Sequence, residues 1–334
     1  MKLSKSVFML RKLTDDLFKP IEPYKISSDL QSQELGNFYF LFEENPAKLN
    51  RLIKDFDDKG IPVNTSYIDV DQPKLHYYPI SIGQYALAVF NSYVRSKNPE
   101  KKDHFLRISN WFYENRIEDT KLGTFWLTDI PKPEYKVFKP WKSAFTQSRA
   151  ISVLLRAWQI TNDEKYFETA KKSLRPFALD TKEGGVSTFT RYGKFFEEYV
   201  AKDPTMVLDG HIFSLLGLHD FVRAVTEELD SESHSLAKDL FDEGIESLIK
   251  WLPEYDLGFW VRFNMCKMEH YPKVDPCTIG YLRLITLQLK LLSKLTGRNE
   301  FIEYYEKFRQ YDKFVNILKL YPIKYKALKK LNRL

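Results

Sequence analysis

The sequence predicts a mainly α protein, an (α/α) barrel or toroid of paired helices with a small N-terminal β-containing region and a β-hairpin insertion. Three observations predict it. From Ser81 onward apolar residues recur at helical spacing, as in "SIGQYALAVFNSYVRSK", where Ile82, Tyr85, Ala86, Val89, Phe90 and Tyr93 share a face. The helices fall in pairs with short links inside each pair, while longer insertions at 122–142, 180–204 and 253–277 separate the pairs. No fixed-period self-similarity runs through the chain, which favours a ring over a solenoid.

Taken in order, residues 1–75 read as a mixed α/β region. "FYFLFE" (38–43) and "IPVNTSYIDV" (61–70) predict short strands, divided by a helix at "PAKLNRLIKDFDD" (46–58). Residues 76–315 form the helical body. After the helix at Ser81 comes a second at 100–116, then "LGTFWLTDIPKPEYKVFKPWK" (122–142), two strands around a Pro-rich turn. Helices resume at 143–161, 163–178, 205–229, 231–252, 278–297 and 298–313. "TNDEKYF" and "TGRNEFI" place polar caps before acidic first turns. Residues 316–334 form a basic C-terminal tail.

Composition narrows the function classes. Of 334 residues, 43% are hydrophobic and 29% charged, so a packed core is expected and disorder is not. Aromatic residues reach 15%, which suits an aromatic core or a groove that stacks sugars or bases. Two cysteines, Cys266 and Cys277, imply no disulfide framework and match no zinc spacing. The N-terminal stretch lacks the apolar run of a signal peptide, and no stretch of about 18 apolar residues predicts a membrane span. The expected location is cytoplasmic. The net charge of +6 equals the six cations of the tail, Lys319, Lys324, Lys326, Lys329, Lys330 and Arg333, so the remainder is neutral in sum. With its interleaved Leu, Ile and Tyr, such a tail can make peripheral contact with an anionic inner membrane face, or lie as a solvated helix. No phosphate loop, Ser-His-Asp set or nucleotide fingerprint is present, and nucleic acid is not an expected partner.

One stretch stands apart. "KFFEEYVAKDPTMVLDGHIFSLLGLHDF" (194–221) gathers Glu197, Glu198 and Tyr199 on a loop, then Asp209, His211 and His219 on a helix. The histidines lie eight residues apart, off the i,i+4 metal spacing, and read as core or polar residues with no metal role. Asp209 reads as structural.

Four segments in order carry a resemblance: "YYPISIGQYALAVF" (77–90), "WKSAFTQSRAISVLLRAWQIT" (141–161), "FFEEYVAKDPTMVLDGHIFSLLGLHDF" (195–221) and "YLRLITLQLKLLSKLTG" (281–297). Together they resemble the D-glucuronyl C5-epimerase family, which acts on heparosan-type and related uronic-acid polymers. The resemblance covers about residues 75–312. It implies an (α/α) barrel with β-rich additions and inversion of C5, from D-glucuronate to L-iduronate. No cofactor is implied, since proton exchange needs no redox carrier. The family's loop Glu and following Tyr fall on Glu198 and Tyr199, and a further catalytic Tyr falls on Tyr281. Departures accompany it: Phe263 stands where the family has Tyr, Asn264 where Asp is usual, and Leu282 and Ile285 where it has His. Tyr78 and Asp209 each replace a common Asn, and Tyr271 is a candidate substitute phenol.

The chemistry suits these residue types. The C5 hydrogen is weakly acidic because it neighbours an already negative carboxylate. A base must remove it while positive or hydrogen-bonding groups hold the enolate-like charge, and an acid on the opposite ring face must return a proton. Glu198 and Tyr281 are assigned to the two faces, with Tyr199 in support. Arg149, Gln147, Arg191, Arg262 and Tyr78 are the candidate substrate-binding residues, an Arg holding a carboxylate bidentately, with Lys194 flanking the acidic loop. Trp141 and Trp260 are candidate stacking platforms. Two other functions stay open: a uronate polysaccharide lyase, and a non-catalytic glycan-binding homologue. The expected partner is an acidic polysaccharide, with a homodimer the default assembly.

Overall fold

The computed structural model describes residues 24–333 apart from Arg51 and 67–73, together with Val7, Leu10, Arg11, Leu13, Thr14, Leu17 and Phe18. Three long helices are buried almost all round at their N-terminal halves, α2 (Pro79–Ser96), α4 (Ala144–Thr161) and α7 (Leu208–Ala224), and a fourth, α9 (Ile279–Thr296), buries one side and leaves Tyr281 exposed in its first turn. Each is followed by a partner that buries one face: α3 (Pro99–Glu114), α5 (Glu164–Lys172), α8 (Glu227–Tyr255) and α10 (Asn299–Arg309). The inner helices pack in series, α2 on α4, α4 on α7 and α7 on α9, with α4 and α7 making the most extensive contact. A helix apolar all round belongs inside and one with a single apolar stripe outside, so the layering follows from the sequence pattern.

Of the two expected caps, "TNDEKYF" supplies Asp163, while at "TGRNEFI" α10 starts after Arg298 with no side-chain cap. Asn98, Ser143, Asp163 and Thr278 accept from first-turn amides, and Lys97, Asn162 and Gly297 end helices at positive φ. At the α4–α7 contact, a Cβ on Gly217 would lie 2.5 Å from the Ser148 Cα. Only glycine permits that approach, which Ser148 seals by donating to the Phe213 carbonyl at 2.7 Å.

The N-terminal region differs from its expected elements. The helix over 46–58 shrinks to α1 (Pro46–Leu49), and β1 (Ile53–Phe56) pairs with β2 (Pro62–Thr65), which pairs with β3 (Leu75–Tyr77). Between β1 and β2, Asp57 Oδ1 accepts from Lys59 and Ile61 and Gly60 sits at φ 77°. "DDKG" is therefore a hairpin turn, and turn chemistry outweighs the helical spacing. At 38–43 only Phe40 bridges, to Ile26, because the Phe38 amide donates instead to Asn91 on α2. The strand expected at 61–70 ends at Thr65, and positions 67–70 lie outside the described residues.

Segment 24–42 lies across the C-terminal halves of the inner helices. Leu35 bonds Gln159, Tyr39 meets His219 at 2.6 Å, and the Arg223 side chain donates to Ser32. It lies at the end opposite the loops that precede these helices, and one continuous hydrophobic core runs from Leu35 to Leu331.

The insertions also differ in detail. Regular pairing occurs upstream, between β4 (Ile117–Asp119) and β5 (Gly123–Phe125). The Pro-rich excursion carries single bridges, Thr128 to Trp141 and Lys132 to Val137, around a 3-10 turn at 133–135. The helix expected at 163–178 breaks before α6 (Arg175–Ala178), where Pro176 cannot continue it. In the third insertion, β6 (Ser187–Thr190) and β7 (Gly193–Phe196) form a hairpin. The basic tail is helix α11 (Phe314–Lys330), docked through Ile317, Leu320, Ala327 and Leu331. No helix among the described residues is long and apolar enough to cross a membrane.

Candidate active site

The loops preceding the inner helices interlock at one mouth. Ala144 donates to the Glu197 carbonyl at 2.8 Å, Leu208 to Phe263 at 3.2 Å, and Phe263 to Asp275 at 2.8 Å. The positive ends of the inner helix dipoles therefore sit beside the loops that carry the candidate residues.

Glu197 and Glu198 are adjacent, and both are buried. Glu197 staples the loop: its carboxylate accepts from Thr188 Oγ1 at 2.7 Å, Thr205 Oγ1 at 2.7 Å, and the Thr205 and Met206 amides. Glu198 has no such set of donors. Burial pushes its carboxyl up to about 7, against the Tyr199 phenol and the Lys132 charge, which draw it down. Its side chain lies on Gly210, where a Cβ would come within 2.6 Å of Glu198 Cβ and Oε2. The glycine of "LDG" thus makes room for the carboxylate. Burial, then the charge of Glu198, drives the Asp209 carboxyl well above the ordinary carboxylate range.

A file of rings leads away from Glu198. Trp141 lies 6.4 Å from Tyr78 and 5.1 Å from Tyr199, which stacks on Tyr135 at 5.3 Å, which stacks on Tyr271 at 5.5 Å. Asn264 donates to the hydroxyls of Tyr135 and Tyr271 at 2.9 and 2.6 Å, and Tyr271 donates to Asp275 at 2.8 Å. Lys132 stands 4.3 Å from the Tyr199 ring centre and 2.7 Å from Glu134. Burial raises the Tyr135 and Tyr271 phenols well above their ordinary value.

The candidate residues scatter more than the sequence reading placed them. Tyr281 occupies the first turn of α9 at the mouth, 38% exposed, with its ring 5.3 Å from Phe263. Tyr78 and Trp141 line the file, and the Trp141 indole donates to the Ile130 carbonyl. Gln147 and Arg149 do not reach the mouth surface. Gln147 donates to the Thr124 and Ser173 carbonyls, and Arg149 is wholly buried among Phe38, Phe145 and Phe213, 4.5–4.8 Å from their ring centres. An inner helix has no solvent face there. Arg191 pairs with the exposed Glu254 at 2.9 Å, and Arg262 donates to the Lys273 carbonyl. Lys194 pairs with Glu243, and Trp260 donates to the Cys277 carbonyl from the core. Leu282 and Ile285 are fully buried packing residues. His211 accepts from Phe196 and meets the Gly244 carbonyl between two phenyl rings, and burial lowers it and His219 to about 4. Both are neutral core residues.

Sequence reasoning missed Lys132 and Glu134, which lie in the Pro-rich excursion among other charges with no spacing to mark them. It also missed a groove of about 510 Å³ lined by Lys136, Phe138, Lys139, Trp141, Lys142 and Lys202. Trp141 is the wall it shares with Tyr199.

Comparison with known proteins agrees with the motif resemblance. The family model for the D-glucuronyl C5-epimerase C-terminus matches residues 124–310, more than half of the chain. An uncharacterized protein of Methanocaldococcus jannaschii is 26% identical over 291 residues, covering 81% of this chain and 90% of its own. The D-glucuronyl C5-epimerase of Caenorhabditis elegans is 29% identical over 195 residues, 56% of this chain but 31% of that protein. Among solved structures, a polysaccharide lyase overlays with a TM-score of 0.41 at 13% identity, over 80% of this chain and 33% of its own.

Proposed function

The chain belongs to the D-glucuronyl C5-epimerase C-terminus family, and from that premise we propose that it inverts C5 of uronate residues in an acidic polysaccharide, D-glucuronate to L-iduronate. The observation that carries this is Glu198, a buried carboxyl poised near 7 beside a phenol and an ammonium. A base set near the working pH takes a weakly acidic proton most efficiently. In its ionised form Glu198 removes the C5 proton. Lys132 and the positive ends of the inner helices oppose the charge that develops on the sugar carboxylate. Tyr281 returns a proton to the opposite face, and Tyr199 holds Glu198 through its hydroxyl.

The polymer passes along the lysine groove, with Trp141 as a platform between groove and base. The helix pairs are read as an (α/α) toroid whose mouth encloses one sugar ring.

Incubation with glucuronate-containing polymers in heavy water is the test: deuterium appears at C5 in step with iduronate, with no ultraviolet signal from an unsaturated sugar. Such a signal would make the chain a lyase. No exchange across a panel of uronate polymers would reduce it to a glycan-binding homologue.

A further inference from the structure

Helix α11 lies beyond the family match, which ends at residue 310, and has two dissimilar faces. The inner face enters the candidate site. Lys324 donates to Asp275 Oδ1 at 2.7 Å and to the Pro276 carbonyl at 2.9 Å. Lys330 donates to the Tyr271 carbonyl at 2.8 Å, and Arg333 to Glu134 at 3.0 Å. Two chains of contacts then reach Tyr199. One runs from Lys324 through Asp275, Tyr271, Asn264 and Tyr135; the other runs from Arg333 through Glu134 and Lys132. Glu134, Lys132 and Asp275 are each at most 5% exposed. Without Lys324 on α11 and Arg333 just past its end this group holds one cation against two carboxylates; with them, three against two. A buried carboxylate short of cations either moves or takes up a proton.

We propose that Lys324 and Arg333 are positioning residues that hold Asp275 and Glu134, and through them set Lys132 and the tyrosine file around Glu198. The inference rests on the proton-transfer reading of Glu198 for its kinetic arm only. The groups facing Glu198 are Lys132 and Glu134 from the excursion before α4, the adjacent Tyr199, and Asp209 from α7. Arg333 shares Glu134 and so leaves the Lys132 charge for Tyr199 and Glu198. Its loss consumes that charge and raises the pH at which Glu198 ionises.

The test uses the full chain carrying Lys324→Met with Arg333→Gln, and Lys324→Arg with Arg333→Lys as the conservative control. Hydrogen exchange of segments 130–137 and 264–277 should quicken about tenfold in the first and stay near wild type in the second. The acidic limb of C5 exchange should move up by about half a unit to one unit, with kcat reduced about tenfold and KM within about twofold. Unchanged exchange protection and an unchanged pH profile would overturn the proposal. So would faster turnover, which would make α11 a cover. If the wild type has no epimerase activity, the proposed function fails alone, and hydrogen exchange still decides whether α11 orders these loops.

The outer face carries a different feature. Phe314, Val315, Leu318 and Tyr325 are 56–62% exposed, and Lys319, Lys326 and Lys329 are exposed beside them. At about 100° per residue these positions share one side of the helix, and residues 314–334 hold no acid. Apolar anchors flanked by uncompensated lysines match an anionic bilayer surface. We infer that this face docks on anionic membrane lipid. Co-sedimentation with phosphatidylcholine vesicles, with and without phosphatidylserine, tests it. The chain should pellet only with the anionic vesicles, and each Lys→Glu change should weaken binding at least about fivefold. Leu318→Glu with Tyr325→Glu should abolish it. No pelleting, equal pelleting with neutral vesicles, or a dimer that these substitutions disperse would overturn it.

Discussion

Asp209 and Asp220 lie about three turns apart on α7, both buried, yet their carboxyls are driven in opposite directions. At the closed end burial pushes Asp220 up, but the Arg156 charge and hydrogen bond at 2.6 Å, with Arg223, hold it below the ordinary range. At the mouth burial, then the charge of Glu198, carries Asp209 upward against the backbone hydrogen bonds that lower it. Depth is equal; compensation differs. The same helix thus holds one buried carboxyl with cations and leaves the other raised by burial, and strongly perturbed carboxyls of the second kind are what the proposed proton transfer requires.

The largest effect should come from removing the Glu198 carboxylate. Glu198→Gln is expected to lower C5 exchange by roughly three orders of magnitude. Because the folded carboxyl is raised above its unfolded value, its ionisation costs stability as pH rises from about 4.5 through about 7. The same change should therefore stabilise the protein by about 1–3 kcal/mol at pH 8 and by little at pH 4. Thermal melts at the two pH values check this, and a loss of stability at pH 8 would erase the contrast.

Asp220→Ala should act oppositely. Leaving Arg156 buried without its carboxylate is expected to cost about 3–5 kcal/mol in denaturant unfolding. Milder still, Gly210→Ala places a methyl against the Glu198 carboxylate; exchange should fall about 10- to 100-fold while unfolding shifts little, since a displacement near 1 Å disturbs alignment more than packing. The smallest effect belongs to Tyr199→Phe. Its hydroxyl draws the Glu198 ionisation down, so its loss should move the acidic limb of the pH profile up by about half a unit. A downward move would show that Tyr199 does not bond the ionised form.

Legibility followed the range of the interactions. Asp163 in "TNDEKYF" could be read as a cap because a cap involves neighbours in sequence. "DDKG" was equally local, and the helical spacing around it hid the turn. Glu198 and Tyr199 were legible through the ordered motifs. Arg149 was misplaced because helical spacing cannot distinguish a helix with one buried face from one surrounded by others. Lys132, Glu134 and Asp275 were unreadable as a group, since 141 positions separate the last two and only folding brings them together beside the C-terminal segment.

By itself the sequence determined the run of paired helices and the family, because periodicity and motif order are properties of adjacent residues. Tertiary structure alone decided that Glu197 is tied down while Glu198 is poised, that Arg149 lies in the core, and that the basic tail reaches back to the mouth. Each depends on which distant groups share a low-dielectric space, and the energy of a buried charge is set by the partners it finds there.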